Sequence, residues 1–123
     1  MTFDEALERA YSTGREYAWK REDVADAVEA IRQSGRAVDW WEVWLRHERG
    51  HHTFIPSADG GPPGVLTVYT DDRKQDESWA AYCDRTAAEA LAGIAKHNVE
   101  SWADPAALDD VLYNIAFDSG GAV

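Results

Sequence analysis

Cysteine is almost absent. Cys83 is the only one in 123 residues, so no disulfide can close within the chain and no cysteine-based zinc cluster can be built. That fits a reducing compartment. Long apolar runs are missing as well: no window approaches ~18 consecutive apolar residues, and the N-terminus MTFDEALERA carries acids where a secretory signal carries Lys or Arg ahead of an apolar stretch. A cytoplasmic protein with no membrane span is expected. Positive charge is scarce, with 12 Lys and Arg against 23 Asp and Glu and a formal charge of -11. Such a field repels phosphates and anionic headgroups, which disfavours direct nucleic-acid or membrane binding and favours a partner with a cationic surface. Solubility alone explains the sign of the charge equally well.

Several chemical signatures are also missing. There is no Gly-x-Ser-x-Gly, no Gly-rich loop ahead of Lys-Ser or Lys-Thr, and no dinucleotide fingerprint. Gly60-Gly61 is followed by two prolines, which lack the amide donors that cradle phosphate, so it reads as a turn. No cofactor or metal is expected. What the chain does have is aromatic bulk: six Trp, five Tyr and three Phe within a hydrophobic share of 45% exclude disorder and predict one domain over residues 1–123.

Thr2 and Glu5 form a capping-box pattern, and Phe3, Leu7, Ala10 and Tyr11 recur at helical spacing up to Gly14, which predicts a helix over roughly residues 3 to 13. A second amphipathic helix is predicted over residues 21 to 34, with Val24, Ala27, Val28 and Ile31 on one stripe and Ser34-Gly35 at its end. From Ala37 the stretch AVDWWEVWLRH reads as a strand, with Trp41, Val43 and Leu45 on one face and Trp40, Glu42, Trp44 and Arg46 on the other. Residues 38 to 56 then form a hairpin around HERGHH, SADGGPPG is a loop, and VLTVYT is a third strand over residues 65 to 70, with Val65, Thr67 and Tyr69 opposite Leu66 and Val68. Trp79, Tyr82, Cys83, Thr86, Ala87, Ala90, Leu91 and Ile94 predict a long helix from about 76 to 96. Asp104 and Pro105 open a last helix, whose stripe of Leu108, Val111, Leu112 and Ile115 ends before Ser119-Gly120-Gly121. The expected fold is α+β in the order ααβββαα: a three-stranded antiparallel meander packed on one face against about four helices. The other face, carrying Trp40, Trp44 and acids, is left exposed as a surface for a protein partner.

The sharpest catalytic lead is His47-Glu48-Arg49-Gly50-His51, the HExxH spacing in which two His one helical turn apart hold zinc and the Glu activates water. Glu77, Glu89 and Glu100 are the available third ligands. That chemistry needs a helix, yet Gly50 lies between the His residues, a Trp- and Val-rich strand pattern precedes them and Pro56 follows, so histidines at a hairpin tip are preferred. His52 and His97 read as surface or helix-end residues, and Cys83 as a small buried hydrophobe. Asp71, Asp72, Asp76 and Glu77 crowd the junction between the third strand and the long helix, while Asp109 and Asp110 form a second acidic spot. The helix dipole accounts for Asp76 and Glu77 as readily as binding does; Asp71 and Asp72 are better placed to meet a basic partner.

The chain resembles the immunity protein 40 family, small antidotes encoded beside bacterial polymorphic toxins. The similarity runs over roughly residues 5 to 97. It rests on Ala10 to Gly14, the helix from Asp23 to Ser34, the strand from Val38 to Leu45, the aromatic-bearing strand from Val65 to Tyr69, and Trp79, Tyr82 and Thr86 to Ala88. Trp40 to Trp44 stands where the family has a glycine-containing segment. The resemblance implies a non-enzymatic protein that binds and blocks a cognate toxin. The acidity agrees with a toxin that has a basic surface, and the reading of the residues presents Trp40, Glu42, Trp44, Asp71, Asp72, Asp76 and Glu77 to it. An acidic DNA mimic that occupies a nuclease or DNA-binding protein, and a minimal zinc peptidase using His47, Glu48 and His51, are the alternatives.

Overall fold

In the computed structural model, which describes residues 1–118, Glu5 N–H donates to Thr2 Oγ1 at 3.1 Å and Thr2 N–H to Glu5 Oε1 at 2.9 Å. The capping box thus starts helix α1 (Phe3–Arg9) as its pattern predicts. The helix stops four residues short of the predicted end at 13, because Ser12 Oγ accepts from Gly14 N–H and Thr13 Oγ1 from Glu16 N–H. These local bonds compete with helix, and Gly14 at φ +98° completes a turn. Strands β1 (Tyr11–Ser12) and β2 (Tyr17–Trp19) pair across it.

Helix α2 (Arg21–Gln33) forms where its stripe predicts and buries Val24, Ala27, Val28 and Ile31. It ends in a Schellman arrangement: Gly35 at φ +81° donates to Arg32 O at 3.0 Å, and Arg36 N–H donates to Ile31 O at 3.2 Å. The Trp-rich segment is extended as expected. It forms β3 (Ala37–His47), which turns through Glu48 and Arg49 into β4 (Gly50–His52). A bulge at Asp39 and Trp40 puts Val38 and Trp41 on the same face. The bulge takes Val38 N–H out of the ladder, and it donates instead to Thr86 Oγ1 at 3.0 Å from helix α3. Beyond the hairpin lie β5 (Thr67–Tyr69) and α3 (Trp79–Lys96), which starts at an N-cap, Ser78, that accepts from Ala81 N–H at 3.1 Å.

The last segment overturns the expected architecture. Asp104 Oδ1 does cap Ala106 N–H at 3.0 Å, but the turn that follows is a 3-10 helix (Pro105–Asp110), preceded by another (Val99–Ser101). Val111–Asp118 is a strand, β6, where a helix was predicted. Val111 through Ile115 are all buried, so the strand is covered on both faces and shows no alternation, and a continuous apolar run fits helical spacing as well as strand. The predicted stop at Ser119-Gly120-Gly121 lies outside the described residues. Among the described residues the sheet has six antiparallel strands, ordered β1-β2-β6-β3-β4 with β5 also on β3, in place of a three-stranded meander. The chain order is accordingly αββαβββα, then the two 3-10 turns and β6, in place of ααβββαα. The helices do share one face, where Trp19, Val28, Ile31, Trp41, Val43, Ile94 and Tyr113 form the core. Among the described residues no helix is long and apolar enough to cross a membrane.

Candidate functional site

The face of the sheet away from the helices divides into an open half and a closed half. In the open half, the β3–β5 register sets Trp40 beside Tyr69 and Glu42 beside Thr67. The Trp40 and Tyr69 rings lie 5.8 Å apart, and Tyr69 is 72% exposed. Glu42 is held from both sides: Oε2 accepts from Thr67 Oγ1 at 2.9 Å and Oε1 from Trp44 Nε1–H at 2.5 Å. Ile55 and Gly64 exchange two backbone bonds of 2.9 Å, which sets Phe54 opposite Val65 while Ile55 is buried. Of the four exposed large apolar side chains among the described residues, three (Phe54, Val65 and Tyr69) belong to this region.

Trp44 belongs to the closed half, and its predicted role as an exposed anchor fails on burial: it has no accessible surface. His51 of β4 stacks on it at 3.5 Å and 7°, Tyr11 of β1 meets it edge-on at 6.2 Å, and Ala18 and Leu112 fill the remaining space. Tyr11 Oη also reaches 3.5 Å from His51 Nδ1. Strands β1 and β4 stand at opposite ends of the strand order, so the sheet curls until its two edges meet over the Trp44 indole. Burial holds the His51 imidazole below its ordinary pKa, against the opposing pull of Glu16 and Glu42. His47 lies on the other face of the hairpin beside His52 (4.9 Å), with its Nδ1 accepting from Arg49 N–H at 3.2 Å. The helix that the HExxH spacing needs does not form here, and His47 and His51 point to opposite sides of a pleated ribbon. Among the described residues no group of three or more His, Cys, Asp or Glu is gathered as a metal site.

At the acidic junction, the four predicted carboxylates separate into two kinds. Glu77 bonds Arg85 Nε at 2.7 Å, which brings its pKa down to about 2, and Arg85 also pairs with Glu89 at 3.1 Å. Glu77 therefore braces the loop against α3 rather than occupying the helix start. The same guanidinium donates to the carbonyls of Asp71 and Asp72 at 3.2 and 3.0 Å, fixing the backbone while both side chains face solvent. Asp76 is exposed as well.

One cluster had no signal in sequence spacing. Tyr113, fully buried on β6, holds its hydroxyl 3.3 Å from His97 Nδ1 and accepts from Arg21 Nη1 at 3.2 Å, at the back of a cleft of about 600 Å³. Trp41 and Trp102 flank the imidazole at 5.9 and 6.2 Å. Burial pushes the His97 pKa down and the Tyr113 pKa up, so both groups are held neutral. The rim carries Lys20, Glu22, Glu100 and Asp109, charges of both signs. Comparison with family models, with curated proteins and with solved structures finds no match to this chain.

Proposed function

We propose that this chain is a non-catalytic protein-binding domain that neutralises a cognate bacterial toxin by seating the open face of β3 and β5 on a basic surface of that toxin. The observation that carries the reading is the Trp40–Tyr69 pair beside the pinned Glu42 carboxylate, with Val65 and Phe54 continuing the apolar surface and Asp71 and Asp72 at its edge. Rigid aromatic anchors supply most of the energy of a protein interface, and truncating one costs about 2 kcal/mol or more of affinity. The formal charge of -11 speeds encounter with a cationic partner and makes the association sensitive to salt. The resemblance to the immunity protein 40 family supports the same reading.

The test is co-expression with the toxin-like product of the adjacent gene. Growth rescue and a stable complex in pull-down are expected, both lost in a Trp40→Ala, Tyr69→Ala double variant that remains folded by circular dichroism. If the intact chain neither rescues growth nor forms a complex, the proposal fails.

A further inference from the structure

The alternation of an antiparallel ladder decides which backbone groups of β5 are used. Val43 N–H donates to Leu66 O at 3.1 Å and Thr70 N–H to Asp39 O at 3.0 Å, so residues 66, 68 and 70 turn their amides and carbonyls toward β3. Thr67 and Tyr69 therefore turn theirs away, onto an edge that no strand among the described residues covers. The other two edges of the sheet are drawn together, because Tyr11 of β1 and His51 of β4 meet over Trp44. Among the described residues the edge of β5 is the one left open. It is also rigid: Leu66 and Val68 pack into the core, and Thr70 Oγ1 donates to Val38 O at 2.7 Å.

Free edges invite pairing with another chain, and proteins blunt them with Lys, Pro or inward-pointing charge. β5 is blunted by its length of three residues but carries no Lys, Pro or inward-pointing charge. No Lys or Arg occurs between His51 and Asp72, and the side chains beside the edge are the exposed Val65 and Tyr69, with Asp71 and Asp72 just beyond. A second copy of this chain carries the same formal charge of -11, so self-pairing is opposed by net charge. A cationic segment is drawn by the net charge and by the exposed Asp71 and Asp72 carboxylates, which outweigh Arg73 and Lys74 next to them in a chain of charge -11.

We propose that the edge of β5 is a strand-addition site that takes an extended basic segment of a protein partner as a further strand of the sheet, with main-chain bonds to Thr67 and Tyr69 and its cationic side chains against Asp71 and Asp72. This deepens the protein-binding reading above and rests on it. Main-chain bonds hold such a segment, while alternate side chains select it.

The probe is a synthetic peptide of about ten alternating Arg and Val residues, set against its fully N-methylated form and its Glu-for-Arg form. Binding to the full chain is followed by calorimetry and by amide exchange in NMR spectra. The Arg peptide should bind at least about ten-fold more tightly than either control and should slow exchange at Thr67 and Tyr69. Thr67→Pro removes an outward N–H at a position where an edge strand tolerates proline, and it should weaken binding to the level of the N-methylated peptide. Equal binding of the N-methylated and unmodified Arg peptides, an absence of binding, or unchanged exchange at both residues on saturation would overturn the site. The peptide comparison needs no variant, so a Thr67→Pro chain that fails to fold leaves it decisive. Toxin neutralisation that persists without edge protection removes the strand-addition site alone; edge binding without any neutralisation removes the immunity reading alone.

Discussion

Trp40 and Trp44 stand on the same strand and the same pleated face, yet one lies in the open half and the other in the closed half. Trp44 lies beneath His51 and Tyr11 with no surface left, while Trp40 stays half-buried beside a largely exposed Tyr69. Nothing in the two side chains differs. Sheet curvature separates them: it folds the β1 and β4 edges over Trp44 and leaves the β5 edge open beside Trp40. The sharpest way to break the comparison is to truncate both. Trp44→Ala should cost about 3 to 5 kcal/mol of stability, through lost burial and the cavity left under His51. Trp40→Ala should cost about 1 kcal/mol, mostly the ring pair with Tyr69, while removing about 2 kcal/mol or more of partner affinity. Urea unfolding and titration with the partner separate the two; equal stability losses would mean that the halves do not differ.

Glu42 joins the halves, since one oxygen accepts from the buried indole of Trp44 and the other from the exposed Thr67 hydroxyl. Glu42→Ala leaves the Trp44 N–H without its acceptor and should cost about 1 to 3 kcal/mol, whereas Thr67→Val, which removes only the solvent-side donor, should cost about 1 kcal/mol or less. Unfolding midpoints of the two variants measure the asymmetry. Similar losses would place the Glu42 bonds on an equal footing and remove the distinction between a structural and a surface oxygen.

Elements with one wet face were legible in the sequence. Helix α2 shows its stripe and its Ser34-Gly35 stop because its polar side marks the period, while β3 is marked as a strand by its density of Val and Trp, although Trp44 on its second face is buried. The final strand was not legible for the opposite reason: Val111 to Ile115 are buried on both faces, so the only visible period was the spacing of Leu108, Val111, Leu112 and Ile115, which happens to fit a helix. Strands β1 and β2 are too short to display any period. Within the candidate surface, Trp40, Glu42, Asp71 and Asp72 fall where the residue pattern put them. Trp44 does not, because its burial depends on Tyr11 and His51, which are brought to it by sheet topology and not by local spacing. Likewise Glu77 looked like a helix-start acid until Arg85, on the next turns of α3, claimed it.

The smallest expected effect tests whether the closed half depends on a neutral imidazole. Burial, the leading cause, holds His51 below the ordinary histidine value of 6.5, and His47 and His52 add to it while Glu16 and Glu42 oppose it. A histidine with a depressed folded pKa takes up its proton more readily in the unfolded chain. Stability is therefore greatest above the unfolded value and is lost as pH falls from there through the folded value. His97, also lowered by burial and then by Arg21, contributes with the same sign. Glu77, held near 2, contributes stability that is present above its unfolded value of 4.5 and fades only as pH falls toward 2, so its contribution lies below the histidine window. The urea midpoint of the parent should drop between about pH 7.5 and 5.5, and that of His51→Phe, which keeps a ring over Trp44 without a titrating nitrogen, should drop less. An unchanged slope in His51→Phe would assign the whole effect to His97 beside Tyr113 and show that the ring over Trp44 acts by its shape alone.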